Sequence, residues 1–221
     1  MPFRLEALLD EALALLLPLR PTKQEIDHLI LRTPHETSQE KFPLALFATA
    51  GYQLLPEETV VYTLDTSGLD FFGTWLKKDL VVAGTLGDNV GFQMSGRLTI
   101  DGRVNNLAGY CMIGTLVNNG IAHDNLGDCM IGTLVNNGTA GHGCANGLYG
   151  VFDNKGKMPT PPRIGALGMW HGHRRLFGFP LSWSNIRRKD REAFLHDITN
   201  PEGRSYTRLR IYLHNNYRWY R

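Results

Sequence analysis

From about residue 73 to residue 156 the hydrophobic positions recur with a period of 18, and the recurrences stay in phase. Leu76, Met94, Met112, Met130 and Leu148 form one aliphatic column. Leu80, Leu98, Leu116, Leu134 and Phe152 form a second, and Leu86, Val104, Ala122, Ala140 and Met158 a third. Glycine keeps the same register in three further columns: Gly73, Gly91, Gly109, Gly127; Gly96, Gly114, Gly132, Gly150; and Gly84, Gly102, Gly120, Gly138, Gly156. The decamer CMIGTLVNNG stands unchanged at residues 111–120 and 129–138.

A unit of this length is too short for a helix pair and too rich in glycine for a stable helix. It fits one coil of a parallel β-solenoid, with residues one period apart stacked ~4.8 Å from each other. Glycine then marks the corners, where the chain needs a positive φ or a close backbone approach. Asn118, Asn136 and Asn154 should stack near a corner and bond to neighbouring coils through their amides. The predicted fold is therefore mainly β: a short parallel β-solenoid of about five 18-residue coils. Within a coil the glycine spacings are 5, 6 and 7 and the aliphatic spacings 4, 6 and 8. These depart from the three equal hexads of left-handed helices and favour a right-handed coil.

The flanks read differently. Residues 4–17 carry a broad apolar face that ends at Pro18. Thr22 and Glu25 form a capping-box pattern ahead of Ile26, Leu29 and Ile30, and a third helix is expected over residues 38–52 with Pro43 near its first turn. The β-branched run at residues 59–64 predicts a lead-in strand. Pro159, Pro161 and Pro162 remove ladder donors and should end the array. Beyond them, residues 184–198 suggest a basic helix and residues 206–213 a half-buried strand. Three segments result: a helical cap or docking region over residues 1–58, the solenoid over 59–158, and a basic, aromatic-rich α+β extension over 159–221.

Charge sharpens this division. Net charge is −6 over residues 1–90, −1 over 91–156 and +9 over 157–221, which sums to the +2 of the whole chain. Such polarity predicts either self-complementary packing or an anionic partner for the tail. The longest apolar run, residues 12–17, is far too short to span a bilayer. Glu6, Asp10 and Glu11 interrupt what a signal peptide would need as its apolar stretch. With three cysteines and no paired framework, the expectation is the cytoplasm or an organelle interior, without membrane association.

Catalytic and metal chemistry find little purchase. His171 and His173 stand two apart without a Cys, Asp or Glu at ligand spacing, and Cys144 beside His142 has no acidic orienter. Cys111 and Cys129 share a column and read as stacked small residues rather than a disulfide. No phosphate loop, dinucleotide fingerprint or serine elbow occurs, so no cofactor is expected. A β-helix enzyme would need a groove of carboxylates, whereas residues 91–156 offer only Asp101, Asp124, Asp128 and Asp153.

Strand alternation supplies the candidate site. Ile113, Val117, Ile131 and Val135 each lie one position beyond an inward Met or Leu and should point outward as one apolar strip. In the flanking coils the same positions hold Ser95, Thr99, Tyr149 and Asp153, which confines the strip to the middle of the array. The helix at residues 4–17 or a partner subunit should cover it.

The unit G-x-x-M-x-G-x-L-x-x-x-G, at residues 109–120 and 127–138, resembles the GXGXG repeat domain. That family includes the C-terminal domain of the glutamate synthase large subunit and one of the subunits of formylmethanofuran dehydrogenase. The resemblance covers residues 73–156, and one glycine followed by Thr stands where the family has a double glycine. It implies a right-handed β-helix that holds catalytic parts together and carries no catalytic residue itself. The functional expectation is a non-catalytic scaffold or assembly subunit that binds other protein subunits or copies of itself. The alternative is RNA association through residues 163–221, where Arg187, Arg188, Arg208 and Arg210 interleave with aromatic side chains.

Overall fold

The computed structural model describes residues 2–33, 38–160, 166–170 and 173–176. Three helices come first: α1 (Pro2–Leu16), α2 (Lys23–Arg32) and α3 (Ser38–Leu54). The expected capping box opens α2, with Glu25 N–H donating to Thr22 Oγ1 at 3.3 Å and Thr22 N–H donating to Glu25 Oε2 at 2.8 Å. Twelve strands follow among the described residues. β1 (Thr59–Tyr62), β2 (Asp79–Val82), β4 (Ser95–Ile100), β6 (Ile113–Asn118), β8 (Ile131–Asn136) and β10 (Tyr149–Asn154) lie side by side in parallel. Four two-residue strands, β3 (Thr85–Leu86), β5 (Arg103–Val104), β7 (Ile121–Ala122) and β9 (Thr139–Ala140), form a second parallel sheet after the corner. Each coil then closes through a run of turns before the next long strand.

This is the β-solenoid of about five coils, and its register is the sequence period. Leu98 pairs with Leu116, Leu116 with Leu134 and Leu134 with Phe152, so like stacks on like. Met94, Met112 and Met130 are fully buried, as are the leucines of the second column. A fourth buried column, Phe72, Val90, Ala108, Leu126 and Cys144, lines the wall made by the turns. Asn118 Nδ2 donates to Asn136 Oδ1 at 2.8 Å and Asn136 Nδ2 to Asn154 Oδ1 at 2.7 Å, the amide ladder the sequence predicts. The column beneath holds Ile100, which offers no donor, and Asn118 Oδ1 is accordingly buried without a partner.

The glycine columns meet two separate demands. At Gly120 and Gly138 a Cβ would lie 2.1 Å from the carbonyl oxygen of the coil before, so coil-to-coil approach excludes any side chain. At Gly91, Gly109 and Gly127 the demand is a φ of 64 to 67°, and Ala145 continues that column at 58°.

Both ends of the regular period are displaced. Val60 pairs with Leu80, an offset of 20, whereas the N–H of Gly87 bonds to Leu69 O, an offset of 18. The two extra residues fall at Thr66, Ser67 and Gly68, which is why stepping by 18 does not reveal the first coil. At the far end β11 (Ala166–Trp170) pairs with β10 at an offset of 16, and β12 (His173–Leu176) runs antiparallel to β11. The ladder thus resumes past the proline-rich break instead of ending there. Pro159 falls after β10 and outside any strand, so it costs the sheet no donor.

The helices close the first coil. Ile26, Ile30, Leu44, Ala45, Ala48 and Tyr52 join one core with Val60, Tyr62, Leu69 and Phe72. Gly73 N–H donates to Thr49 Oγ1 at 2.9 Å, and Lys77 N–H to Gln53 Oε1 at 2.8 Å. Helical side chains thereby take up backbone donors that a solenoid leaves free at its end. Helix α1 packs on α3 through Leu9, Ala12 and Leu16 against Leu46 and Ala50.

Candidate interaction surface

In the long strands the buried positions alternate with positions that face away from the core. Leu116 and Asn118 are buried, while Ile113, Thr115 and Val117 lie on the outer face. Ile113 pairs in register with Ile131, and Val117 with Val135, so the four aliphatic residues stack as two adjacent pairs. Ile113, Val117 and Val135 are half-buried, and Ile131 is only 4% exposed, beside its register neighbour Tyr149.

The apolar column extends further than repeat stepping suggests. In register with Val117 and Thr99 stand Val81 on β2 and Val61 on β1, the latter exposed. Val151 on β10 is exposed in the central column, next to Thr133 and Thr115. Recognising β1 and β2 as coils from their TVVY and DLVV patterns is the signal that finds these residues.

Charged residues lie on this face as well, with Asp79 on β2 and Arg97 on β4 between Val61 and the aliphatic pairs of β6 and β8, and Asp153 and Lys155 beyond them on and after β10. Asp79 Oδ1 accepts from the N–H of Arg97 at 2.9 Å, and Lys155 Nζ lies 3.1 Å from Asp153 Oδ2. Helix α1 does not cover this face, because α1 lies on α3 at the first coil.

The remaining reactive groups are structural in their surroundings. Cys144 fills the fourth interior column, and burial pushes its thiol up to about 12. Cys111 and Cys129 are not joined in a disulfide; hydrogen bonding to the Cys111 thiol, then burial, then the Asp128 carboxylate raise Cys129. Burial raises Asp128 as well. Asp70, Asp88, Asn106 and Asp124 form an outer ladder not singled out in the sequence. Each side chain accepts the N–H one coil on, at 2.7 Å from Asp88, 2.9 Å from Asn106, 3.2 Å from Asp124 and 2.8 Å from His142. Stepping by 18 from Asp70 would have exposed it.

Among the described residues no group of three or more His, Cys, Asp or Glu is placed to hold a metal ion. No helix among them is long and apolar enough to cross a membrane. Arg187, Arg188, Arg208 and Arg210, together with the helix and strand expected around them, lie outside the described residues. Comparison with family models, with curated proteins and with solved structures finds no match for this chain.

Proposed function

We propose that this chain is a non-catalytic scaffold or assembly subunit whose solenoid offers its outer sheet face to a protein partner. The observation that carries this reading is the register-stacked strip Ile113, Val117, Ile131 and Val135, prolonged by Val81, Val61 and Val151 on a rigid parallel sheet. Soluble monomers seldom expose large apolar patches, and here the aliphatic pairs alternate with Thr99, Thr115 and Thr133 on the outer face. The resemblance of residues 109–120 and 127–138 to the GXGXG repeat supports the same reading.

The test is the native mass of the tagged chain recovered from its source cells under mild salt. An assembly well above the 24.8 kDa of one chain is expected, and recovery as a monomer would contradict the proposal. The net charge of +9 over residues 157–221 supports a second reading, RNA association through Arg187, Arg188, Arg208 and Arg210. It requires binding that weakens steeply with salt through counterion release.

A further inference from the structure

Cys111 and Cys129 occupy the same place in successive coils, in the turns that lead into β6 and β8 rather than in the strands themselves. Both take a left-handed φ, 57° and 54°, so the two side chains leave the backbone at equivalent angles. The N–H of Cys111 donates to the carbonyl of Asp128, the residue before Cys129, at 3.0 Å. Stacked coils bring equivalent α-carbons to ~4.8 Å, inside the range of about 4.4–6.8 Å that a disulfide spans. The two thiols already lie in hydrogen-bond contact with each other, and the Asp128 carboxylate accepts from that of Cys129. Their surroundings differ. Cys111 is buried, whereas Cys129 is exposed. Next in the column stands Gly147, where a Cβ would meet Cys129 Sγ at 3.4 Å. With glycine there, the following coil leaves that sulfur uncovered.

We propose that Cys111 and Cys129 form a reversible redox site, which an oxidising small-molecule disulfide converts into a covalent bond between neighbouring coils. The accessible Cys129, as its thiolate, attacks one sulfur of the small disulfide, forms a mixed disulfide and releases one small thiol. Cys111, next to it, then attacks Cys129 Sγ and releases the second small thiol. Both cysteines lose their protons, the pair gives up two electrons, and the small disulfide takes them up. Excess small thiol runs the same steps backward. The bond to Cys111, burial and the Asp128 carboxylate all hold the Cys129 proton in place, so the first attack is slow and needs oxidant in excess. The new bond fastens two coils just ahead of Ile113 and Ile131, and it forms whether or not the sheet strip binds a partner.

The experiment is incubation of the full chain with excess oxidised glutathione, then unfolding, alkylation and mass measurement. Alkylated thiols should fall from three to one, with no glutathione retained. In Cys144→Ala, cleavage before Asp124 and Asp128 puts Cys111 and Cys129 on different fragments, which should stay joined until a reductant is added. Cys111→Ala should instead keep one glutathione on Cys129, and Cys129→Ala should take up none. The oxidised wild type should melt about 5–10 °C above the reduced one, because the bond closes a loop of one coil in the unfolded chain. Three unreacted thiols, a lasting glutathione adduct on the wild type, a bond to Cys144 or a dimer through Cys129 would each overturn the proposal. A lowered melting temperature would do so as well, since the bond would then form only by distorting the coils.

Discussion

Asn118 donates from Nδ2 to Oδ1 of Asn136 across 2.8 Å, and both side chains are wholly buried between stacked coils. Asn136 passes the pattern on to Asn154 at 2.7 Å, so a single residue holds two links of the ladder. Asn136→Leu removes both, leaving the Asn118 amide and the Asn154 carbonyl short of a partner. Each unsatisfied buried group costs about 1–3 kcal/mol, so urea unfolding should show a total loss of about 2–6 kcal/mol. A loss below about 0.5 kcal/mol, the scale of surface substitutions, would mean that the ladder is not formed.

The two kinds of glycine predict opposite tolerance. Gly138→Ala drives a Cβ to 2.1 Å from Gly120 O, and backbone cannot move aside without opening the coil. Gly127→Ala meets Leu134 Cδ2 at 2.9 Å, a flexible side chain, at a φ that Ala145 already adopts one coil on. Thermal melts should show the second variant folded at a cost of about 1–2 kcal/mol, the left-handed penalty. The first should be far less stable or fail to fold. Equal effects would contradict the close packing of the corner.

The repeat was legible because stacking converts period directly into contact, so Leu98, Leu116 and Leu134 could be aligned without knowing the turns. The run of turns was not. Leu107, Cys111 and Cys129 adopt φ of 61, 57 and 54°, and none of these residue types advertises a left-handed position. Coil-to-coil bonds such as Leu107 N–H to Asp124 O at 2.9 Å impose it, and those depend on the assembled stack. The seat of α1 was equally hidden, since its apolar face suits α3 and the sheet strip alike. What decides is chain geometry near Thr49 and Gln53, which fixes α3 on the first coil.

Because the coils are interchangeable in register, removing one whole unit should be tolerated. Deleting residues 112–129 joins Cys111 to Met130 and restores the same decamer, MIGTLVNNG following Cys. The shortened chain should keep a cooperative melt and a β-rich circular dichroism spectrum. Deleting residues 112–128 instead shifts every inward side chain outward and should abolish the melt. Similar behaviour of the two deletions would contradict the coil assignment.

Stability should decline in alkali. Burial raises the Tyr52 and Tyr62 hydroxyls above their ordinary value of 10.0, and Cys144 rises from 9.0 to about 12. For an acid raised on folding, the unfolded chain loses its proton first, so the native state is favoured fully only below the unfolded pKa. The urea midpoint should hold up to about pH 9 and fall progressively above it, as the unfolded thiol and then the phenols ionise. Cys144→Ala should flatten the early part of that decline. A midpoint that rises between about pH 9 and 11 would contradict the burial of these groups.

The most direct measurement of the scaffold reading is the double substitution Val117→Asp and Val135→Asp, with stability and assembly read separately. Both residues lie on the outer face away from α1, so the chain should still fold, with a urea midpoint somewhat lowered because the new carboxylates stack in register with each other and with Asp153. The same chain, recovered from its source cells, should run as a monomer where the wild type runs in a larger assembly. If the doubly substituted chain still joins that assembly undiminished, the sheet strip is not the docking face and the scaffold reading is contradicted.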